Sequence, residues 1–228
     1  MNAIRRISGA IAVALAFGFL PRPATADQSI PATVADYPVV LELCTSEGCN
    51  SCLPADALLG RLAQRHDLLP LALYIDYWDY LGWKDPCSSK FETTRQSAYG
   101  RLLDVMVYTP QMAVDGARDT VLTVLRGERG ELKVALPAGE GQSAPASVYE
   151  VLFDSSHVTS VGRGENSGRT LTEFNIVREW RKIGEWTGRA TEFPVSLGPQ
   201  PAGFDACAII LQEGSSGPIR GATAFRLR

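Results

Sequence analysis

The stretch "VVLELCTSEGCNSCLPADALLGRLAQ", residues 39–64, decides the fold. An apolar strand pattern over residues 39–44 leads through a polar turn into a helical pattern over residues 49–65. Pro54 lies in the first turn of that helix, where proline is tolerated. A second apolar run follows at residues 68–75, so the segment predicts a strand, helix, strand unit with parallel strands and a right-handed connection.

The next two segments continue this pattern. The aromatic loop "DYWDYLGWKDPCSSK" (residues 76–90) contains Ser88 and Ser89, either of which is a typical N-cap for a helix running to about Leu103. "VYTPQMAVDG" (residues 107–116) then predicts a strand that is entered through a Thr-Pro pair and left by an Asp-Gly turn.

From about residue 121 the pattern changes to short alternating strands separated by Gly, Asn and Pro turns. "VLTVLRGERGELKVAL" (residues 121–136) predicts a hairpin, and the regular spacing of the later strands is typical of a β-sandwich. "REWRKIGEW" (residues 178–186) fits either a strand or a helical turn. The later strands are predicted near residues 147–154, 158–162, 170–177, 206–212 and 222–226.

The first 26 residues have the composition of a secretory signal peptide. Arg5 and Arg6 precede an apolar run over residues 7–20, and a small-residue cleavage pattern stands before Asp27. A retained N-terminal anchor is the alternative, although the apolar run is too short to span a membrane. We therefore expect a periplasmic or secreted mature chain with no stable membrane span.

The charge of the chain argues against nucleic acid as a partner. Removing residues 1–26 takes away three arginines and no acid, which changes the formal charge from −3 to −6. A nucleic-acid surface needs a basic patch. Export to an oxidising compartment makes disulfide chemistry available, so we expect protein thiols or disulfides, or an unidentified exported protein, as partners.

Cys49 and Cys52 form a C-x-x-C motif at the predicted strand-to-helix junction. Unpaired backbone N–H groups and the helix dipole stabilise a thiolate at such a position and lower the thiol pKa. Cys49 is therefore the predicted nucleophile, with a sulfur that solvent can reach. Cys52 is predicted to resolve the mixed disulfide.

Three further residues complete the predicted thiol site. Glu42 has apolar neighbours on the first strand, and is either a buried base for the Cys52 proton or an edge-strand acid that faces water. If the peptide bond between Thr109 and Pro110 is cis and faces the cysteines, the Thr109 backbone can pair with an extended substrate.

The aromatic loop has two interpretations. Trp78 and Trp83, together with Tyr74, Tyr77 and Tyr80, can form a substrate-binding rim beside the thiols. They can equally form a loop that packs over the sheet.

These motifs together carry a resemblance. The order of a strand, a C-x-x-C helix, a strand, a helix and a Thr-Pro before a strand is similar to the thioredoxin fold. More narrowly, "ELCTSEGCNSCLPADALL", "DYWDYLGWKDP", "YTPQMAVDG" and "GRGENSGRTL" resemble an uncharacterised family of secreted thioredoxin-like proteins from bacteria. The resemblance implies an α/β thioredoxin-like domain at residues 27–119, a β-sandwich-like domain at residues 120–228, and no known substrate.

The chain departs from the family pattern at Cys44 and Cys87, where phenylalanine is expected. Two extra thiols in an oxidising compartment suggest a structural disulfide between them, and two separate buried thiols are the alternative. Residues 117–130 are also too short and too β-branched for the helix that normally closes a thioredoxin fold. One face of the sheet is therefore expected to be open or covered by the β domain.

Metal and cofactor chemistry are not predicted. Cys44, Cys49 and Cys52 have the plant-type iron–sulfur spacing, with Cys87 farther on, but a strand and a helix start are poor positions for cluster ligands. The chain has only two histidines, so it offers few zinc ligands of that kind. Cys207 is predicted to be a buried strand residue.

The sequence therefore predicts an exported thiol–disulfide oxidoreductase in which Cys49 attacks and Cys52 resolves. The alternative is a binding protein in which the disulfide between them is permanent and the β domain docks a partner. The segment "GRGENSGR" (residues 162–169) is predicted to form a hydrogen-bonded turn.

Overall fold

The structure is a computed structural model that describes residues 38–115, 120–127, 130–139, 145–196 and 203–227. The predicted signal peptide lies outside these residues. Within the described part of the chain, no helix has both the length and the apolar character that a membrane span requires.

The amino-terminal part forms the predicted strand, helix, strand unit. β1 (Val39–Thr45) and β2 (Leu68–Tyr74) are parallel. α1 (Leu53–Leu62) connects them after a 3₁₀ turn at Asn50–Cys52. Both strands are buried almost throughout, which explains why their sequences are continuous apolar runs.

α2 (Lys90–Leu103) begins at one of the two predicted caps. The Ser89 side chain accepts a hydrogen bond from the backbone N–H of Glu92 at 3.4 Å, which satisfies one of the unpaired donors of the first turn. β3 (Gln111–Asp115) follows and runs antiparallel to β1. The peptide bond before Pro110 is cis, as the predicted site required.

The carboxyl-terminal part is built from strands. "REWRKIGEW" is part of a strand and not a helical turn, and two separately predicted strands are merged into one. The polar residues Ser155, Ser156 and His157 interrupt the apolar pattern in the merged strand, which is why the sequence predicts two. The strands are β4 (Thr123–Arg126), β5 (Leu132–Leu136), β6 (Ala146–Ser160), β7 (Thr170–Trp186), β8 (Thr191–Val195), β9 (Ala206–Glu213) and β10 (Ile219–Arg226).

A seven-stranded sheet runs through both parts of the chain, in the order β10-β9-β6-β7-β2-β1-β3. The two parts meet where β7 pairs in parallel with β2, through Ala72 and Ile176. β4, β5 and β8 form a separate three-stranded sheet. The result is a mixed, sheet-rich α/β fold, and the division into a thioredoxin-like and a sandwich-like domain stays a prediction.

Three buried clusters form the core of the described residues. One lies under α1 and includes Leu43 and Leu59, and another includes Val40 and extends along the sheet towards β9. The third packs the three-stranded sheet against the outer strands of the large sheet. Cys207 is fully buried in this third cluster, as predicted.

The structure corrects the predicted disulfide between Cys44 and Cys87. Both are free and buried. Cys44 belongs to the cluster that contains Val40, whereas Cys87 belongs to the cluster that contains Leu43. Successive side chains of a strand point to opposite faces, so the two thiols lie in cores on opposite sides of β1.

Candidate thiol–disulfide site

Cys49 and Cys52 are joined by a disulfide at the amino-terminal end of α1. Cys49 immediately precedes the 3₁₀ turn, and Cys52 is the N-cap of α1. The backbone N–H of Cys52 donates to the carbonyl oxygen of Cys49 at 3.2 Å, which closes the turn. The site therefore has the strand-to-helix setting that the sequence predicts.

Two hydroxyl groups lie beside the Cys49 sulfur. Thr109 Oγ1 donates a hydrogen bond to Cys49 Sγ at 3.6 Å, and Ser51 Oγ lies 3.3 Å from the same atom. The indole Nε1 of Trp78 donates to Thr109 Oγ1 at 2.7 Å. Hydrogen bonds to a charged group favour its ionised form, so these hydroxyls are placed to stabilise a Cys49 thiolate after reduction.

The burial of the disulfide differs from the prediction. Cys49 and Cys52 each have 0 % exposed surface, although the Cys49 sulfur was expected to be open to solvent. The surroundings are tertiary, because Thr109 lies against the Cys49 sulfur and a distant segment is bonded to the turn that carries the cysteines.

That segment is the hairpin tip, residues 161–169, which joins β6 to β7. Glu165 Oε2 accepts a hydrogen bond from the backbone N–H of Asn50 at 3.0 Å. Asn166 Nδ2 donates to the backbone carbonyl of Glu47 at 2.9 Å. The tip is thus bonded to the turn on both sides of Cys49.

Other contacts also join the hairpin tip to the turn that carries the cysteines. Arg169 Nη1 donates to Asn50 Oδ1 at 3.1 Å. A Cβ added to Gly164 would lie 3.6 Å from the Cα of Gly48, so the two backbones approach each other closely here. The sequence predicts a turn at this position but carries no signal of its partner, which lies more than 110 residues away.

Trp83 supports the tip from the aromatic loop. Its Nε1 donates to Glu47 Oε2 at 2.6 Å, and a Cβ added to Gly162 would lie 2.8 Å from its ring. Trp78 and Trp83 were predicted to bind substrate, and in this structure both indole N–H groups bond within the chain. Tyr80 is 77 % exposed.

The structure corrects the prediction that Glu42 accepts the Cys52 proton. Arg95 binds both carboxylate oxygens of Glu42, at 2.6 and 2.7 Å, and the Tyr99 hydroxyl donates to it at 2.8 Å. These partners come from α2, whereas Leu43, the next residue of β1, faces α1. Glu42 is therefore a paired anion on the sheet face opposite α1.

Arg95 links this ion pair to the carboxyl-terminal strands. Its Nη2 donates to Gln212 Oε1 at 3.1 Å, and its Nη1 donates to the carbonyl of Ser215 at 3.1 Å. The guanidinium also lies 3.9 Å from the centre of the Trp180 ring. These contacts satisfy a buried cation that would otherwise be costly.

Asp56 is a carboxylate near the disulfide that the sequence did not single out. It lies four residues after Cys52, so the two share a helix face. Burial raises the pKa of Asp56 to about 7, against a hydrogen bond from Thr45 Oγ1 at 2.7 Å. Asp56 also lines a groove of about 510 Å³ between α1 and the start of β7. An aspartate in a first helical turn is usually explained by the helix dipole, so the sequence alone does not single this one out.

A second group of buried acids lies next to the thiol site. Potential metal-ligand atoms of Glu47, Cys87 and Glu173 all lie within 4.8 Å of one another. Burial and the neighbouring Glu47 raise the pKa of Glu173 to about 8. The iron–sulfur spacing, which the positions of the cysteines in the sequence already argued against, does not provide four free thiolates here, because Cys49 and Cys52 are bonded to each other.

The fold and the site define a mixed α/β protein with a buried disulfide at the start of a helix. The chain matches the DUF1223 family over residues 40–126 and 118–212, and it belongs to this family, which is described as a protein of unknown function.

The fold is similar to a crystal structure of a protein from Agrobacterium tumefaciens, with a TM-score of 0.68 and 24% sequence identity. The match covers 83% of this chain and 94% of that chain, and at this identity it shows the fold alone. A comparison with curated proteins gave no significant match.

Proposed function

We propose that this protein is an exported, thioredoxin-like thiol–disulfide oxidoreductase in which Cys49 and Cys52 are the redox-active pair. The observation that carries the proposal is the hydrogen bond from Thr109 Oγ1 to Cys49 Sγ, supported by the indole of Trp78. A disulfide with a purely structural role needs no oriented donor at one of its sulfurs.

The reaction follows from the order of the two thiols. In the reduced protein the Cys49 thiolate attacks a substrate disulfide, forms a mixed disulfide and releases one substrate thiol. Cys52 then loses its proton and attacks the Cys49 sulfur, which releases the second substrate thiol and re-forms the protein disulfide. The substrate gains two electrons and the protein pair loses them, and the reverse sequence oxidises a substrate dithiol.

Asp56 is better suited than Glu42 to accept the Cys52 proton. Its pKa of about 7 matches a general base that operates near neutral pH, and it lies one helical turn from Cys52. Glu42 is held by Arg95 on the other sheet face.

Substrate access requires the hairpin tip to move. Glu165 and Asn166 hold the tip through single hydrogen bonds to the backbone of residues 50 and 47. The neutral bond from Asn166 contributes about 1 kcal/mol, and the bond to the Glu165 carboxylate contributes about 1.5–3 kcal/mol. An extended substrate can make equivalent bonds to the same backbone groups and so replace the two that the tip gives up.

The second candidate is a binding protein with a permanent disulfide. It is favoured by one observation, which is that neither cysteine has exposed surface. In this interpretation the hairpin tip is a fixed part of the fold, and the disulfide holds the turn that the tip packs against.

Equilibration with glutathione and dithiothreitol buffers separates the two functions. A redox-active pair is expected to have a potential in the range of about −120 to −270 mV that thioredoxin-like enzymes cover, and a structural disulfide is expected below about −300 mV. The Cys49→Ser variant should abolish disulfide reduction of a model substrate such as insulin, whereas Cys44→Ser, at a buried thiol outside the site, should not. A potential below about −300 mV together with no turnover would reject the oxidoreductase.

A further inference from the structure

Three potential metal ligands meet in the interior beside the thiol site. Cys87 Sγ lies 3.8 Å from Glu47 Oε1 and 4.0 Å from Glu173 Oε2. The three residues are 4 %, 1 % and 3 % exposed. They come from three segments, namely the loop after β1, the loop before α2, and β7.

The acids of this cluster form no ion pair with a cationic side chain of the described residues. Asp85 is buried beside Glu47 and adds a further acid. Among the described residues, no lysine or arginine forms an ion pair with Glu47, Asp85 or Glu173. Arg178 interacts with the Cys87 thiol, but its ion pair is with Asp154. A buried carboxylate is costly when charged, so these acids are neutralised either by protons or by a bound cation.

One polar atom in the cluster points to a ligand independently. Glu173 Oε1 is buried and has no hydrogen-bond partner, whereas Oε2 of the same carboxyl group accepts from Thr159 Oγ1 at 3.1 Å and lies beside the Cys87 thiol. The buried Tyr74 phenol also interacts with this carboxyl group. An unsatisfied buried oxygen costs about 1–3 kcal/mol, and coordination to a cation would remove that cost.

The distances suit a tetrahedral transition-metal ion. Zinc binds cysteine sulfur at about 2.3 Å and carboxylate oxygen at about 2.0–2.2 Å, which puts sulfur and oxygen about 3.5 Å apart. The observed separations of 3.8 and 4.0 Å are only slightly longer, so small side-chain rotations would close the site. A thiolate ligand favours zinc-like ions over calcium or magnesium.

Neighbouring groups hold the ligands in place. Trp83 Nε1 donates to Glu47 Oε2 at 2.6 Å, which leaves Oε1 directed at Cys87. Asp85 accepts from the backbone N–H of Glu47 and from that of Cys87, both at 2.8 Å, and so fixes the two loops against each other. Hydrogen bonds of this kind orient the ligands in metal sites.

We propose that Glu47, Cys87 and Glu173 bind one divalent transition-metal ion of the zinc class, with the fourth position open to water. The ion would neutralise the buried acids and tie β7 to the loops after β1 and before α2. Its binding would release the Cys87 proton. This inference does not depend on the proposed redox function.

The test is a titration of the chelator-treated full chain with Co²⁺, with the Cys49–Cys52 disulfide kept intact so that only other thiols can bind. A thiolate-to-cobalt charge-transfer band at one equivalent is expected, with displacement by Zn²⁺ and a higher Tm in the presence of Zn²⁺. Cys87→Ser should abolish the band, and Glu173→Gln should weaken Co²⁺ binding at least about tenfold. Cys44→Ser, which removes a buried thiol elsewhere, should keep the band.

Absence of the band in the folded wild-type chain overturns the proposal, as does a band that persists in Cys87→Ser. Equal Co²⁺ affinity in Glu173→Gln and wild type also overturns the assigned ligand set. If Cys87→Ser does not fold, the wild-type titration and the Glu173→Gln variant decide the question by themselves.

Discussion

Thr109 donates a hydrogen bond to the sulfur of Cys49, a residue 60 positions earlier in the chain. The pairing of β3 with β1 brings them together, because Gln111 lies opposite Cys44 and the residues beyond each strand end meet at the same edge. Trp78 orients the Thr109 hydroxyl by donating to its oxygen. The donor is therefore already in position before the disulfide is reduced.

Replacing Thr109 tests this relationship. Thr109→Val keeps the shape and removes the hydroxyl, so the pKa of the reduced Cys49 thiol should rise by about one unit, since a hydrogen bond to a charged group contributes about 1.5–3 kcal/mol. The measurement is the pH dependence of iodoacetamide alkylation in a Cys52→Ser background. Thr109→Ser retains the donor and serves as the control. An unchanged pKa in Thr109→Val would show that this hydroxyl does not stabilise the thiolate.

Loosening the hairpin tip should expose the disulfide. Asn166→Ala removes the bond to the Glu47 carbonyl, and the rate of reduction by dithiothreitol should rise up to about tenfold. Ser167→Ala is the matched control, because the Ser167 hydroxyl bonds only to Gly162 inside the tip. Equal reduction rates for Asn166→Ala, Ser167→Ala and wild type would mean that the tip does not limit access.

Asp56 should control the second step of exchange. Because its folded pKa is about 7, its carboxylate becomes available as pH rises through 7, and the rate of mixed-disulfide resolution should rise over that interval. Asp56→Asn should lower the rate about a hundredfold at pH 8 and remove this part of the pH profile. Stopped-flow measurement of thiol release from a preformed Cys49 mixed disulfide reports the step directly. A profile that is identical in Asp56→Asn would assign the proton to another acceptor.

Breaking the ion pair of Glu42 and Arg95 should destabilise the fold severely. Glu42→Gln leaves a buried guanidinium without its counter-charge, and a loss of about 3–5 kcal/mol in the free energy of unfolding is expected. The double variant Glu42→Gln, Arg95→Met should lose less than the sum of the single changes, because no isolated charge remains. Urea unfolding of the single and double variants measures these losses in the free energy of unfolding. Additive losses would mean that the two residues stabilise the fold independently.

Buried acids should make stability fall as pH rises. Burial raises the pKa of Glu92 from 4.5 to about 8, against hydrogen bonds from Ser89. Between these values the folded protein holds a proton that the unfolded chain has lost. The contribution of Glu92 to the free energy of unfolding is therefore fully present below pH 4.5 and is lost as pH rises through 8. Each such group adds at most about 1.4 kcal/mol per pH unit to the slope.

Glu92→Gln should therefore flatten the dependence of the unfolding free energy on pH between about 5 and 8 and stabilise the protein at the upper end of that range. Glu185→Gln, at an exposed position, should leave the slope as it is in wild type. Unfolding in urea at a series of pH values gives the slope. A steeper dependence in Glu92→Gln would contradict the assigned direction.

The sequence by itself determined the local elements of this protein. Apolar runs predicted β1 and β2, a cap at Ser88 or Ser89 predicted the start of α2, and the motif over residues 49–52 predicted a thiol pair at the beginning of a helix. Capping and hydrophobic periodicity act over a few residues, so they can be recognised in a single chain.

Only the tertiary structure decided what surrounds those thiols. It buried Cys49, bonded residues 161–169 to the turn that carries it, paired Glu42 with Arg95 on the far side of the sheet, and separated Cys44 from Cys87. The two contacts join residues 53 and 115 positions apart, and they depend on strand order and on which face each side chain occupies. A one-residue change of register would reverse the faces, which is why no local pattern could predict them.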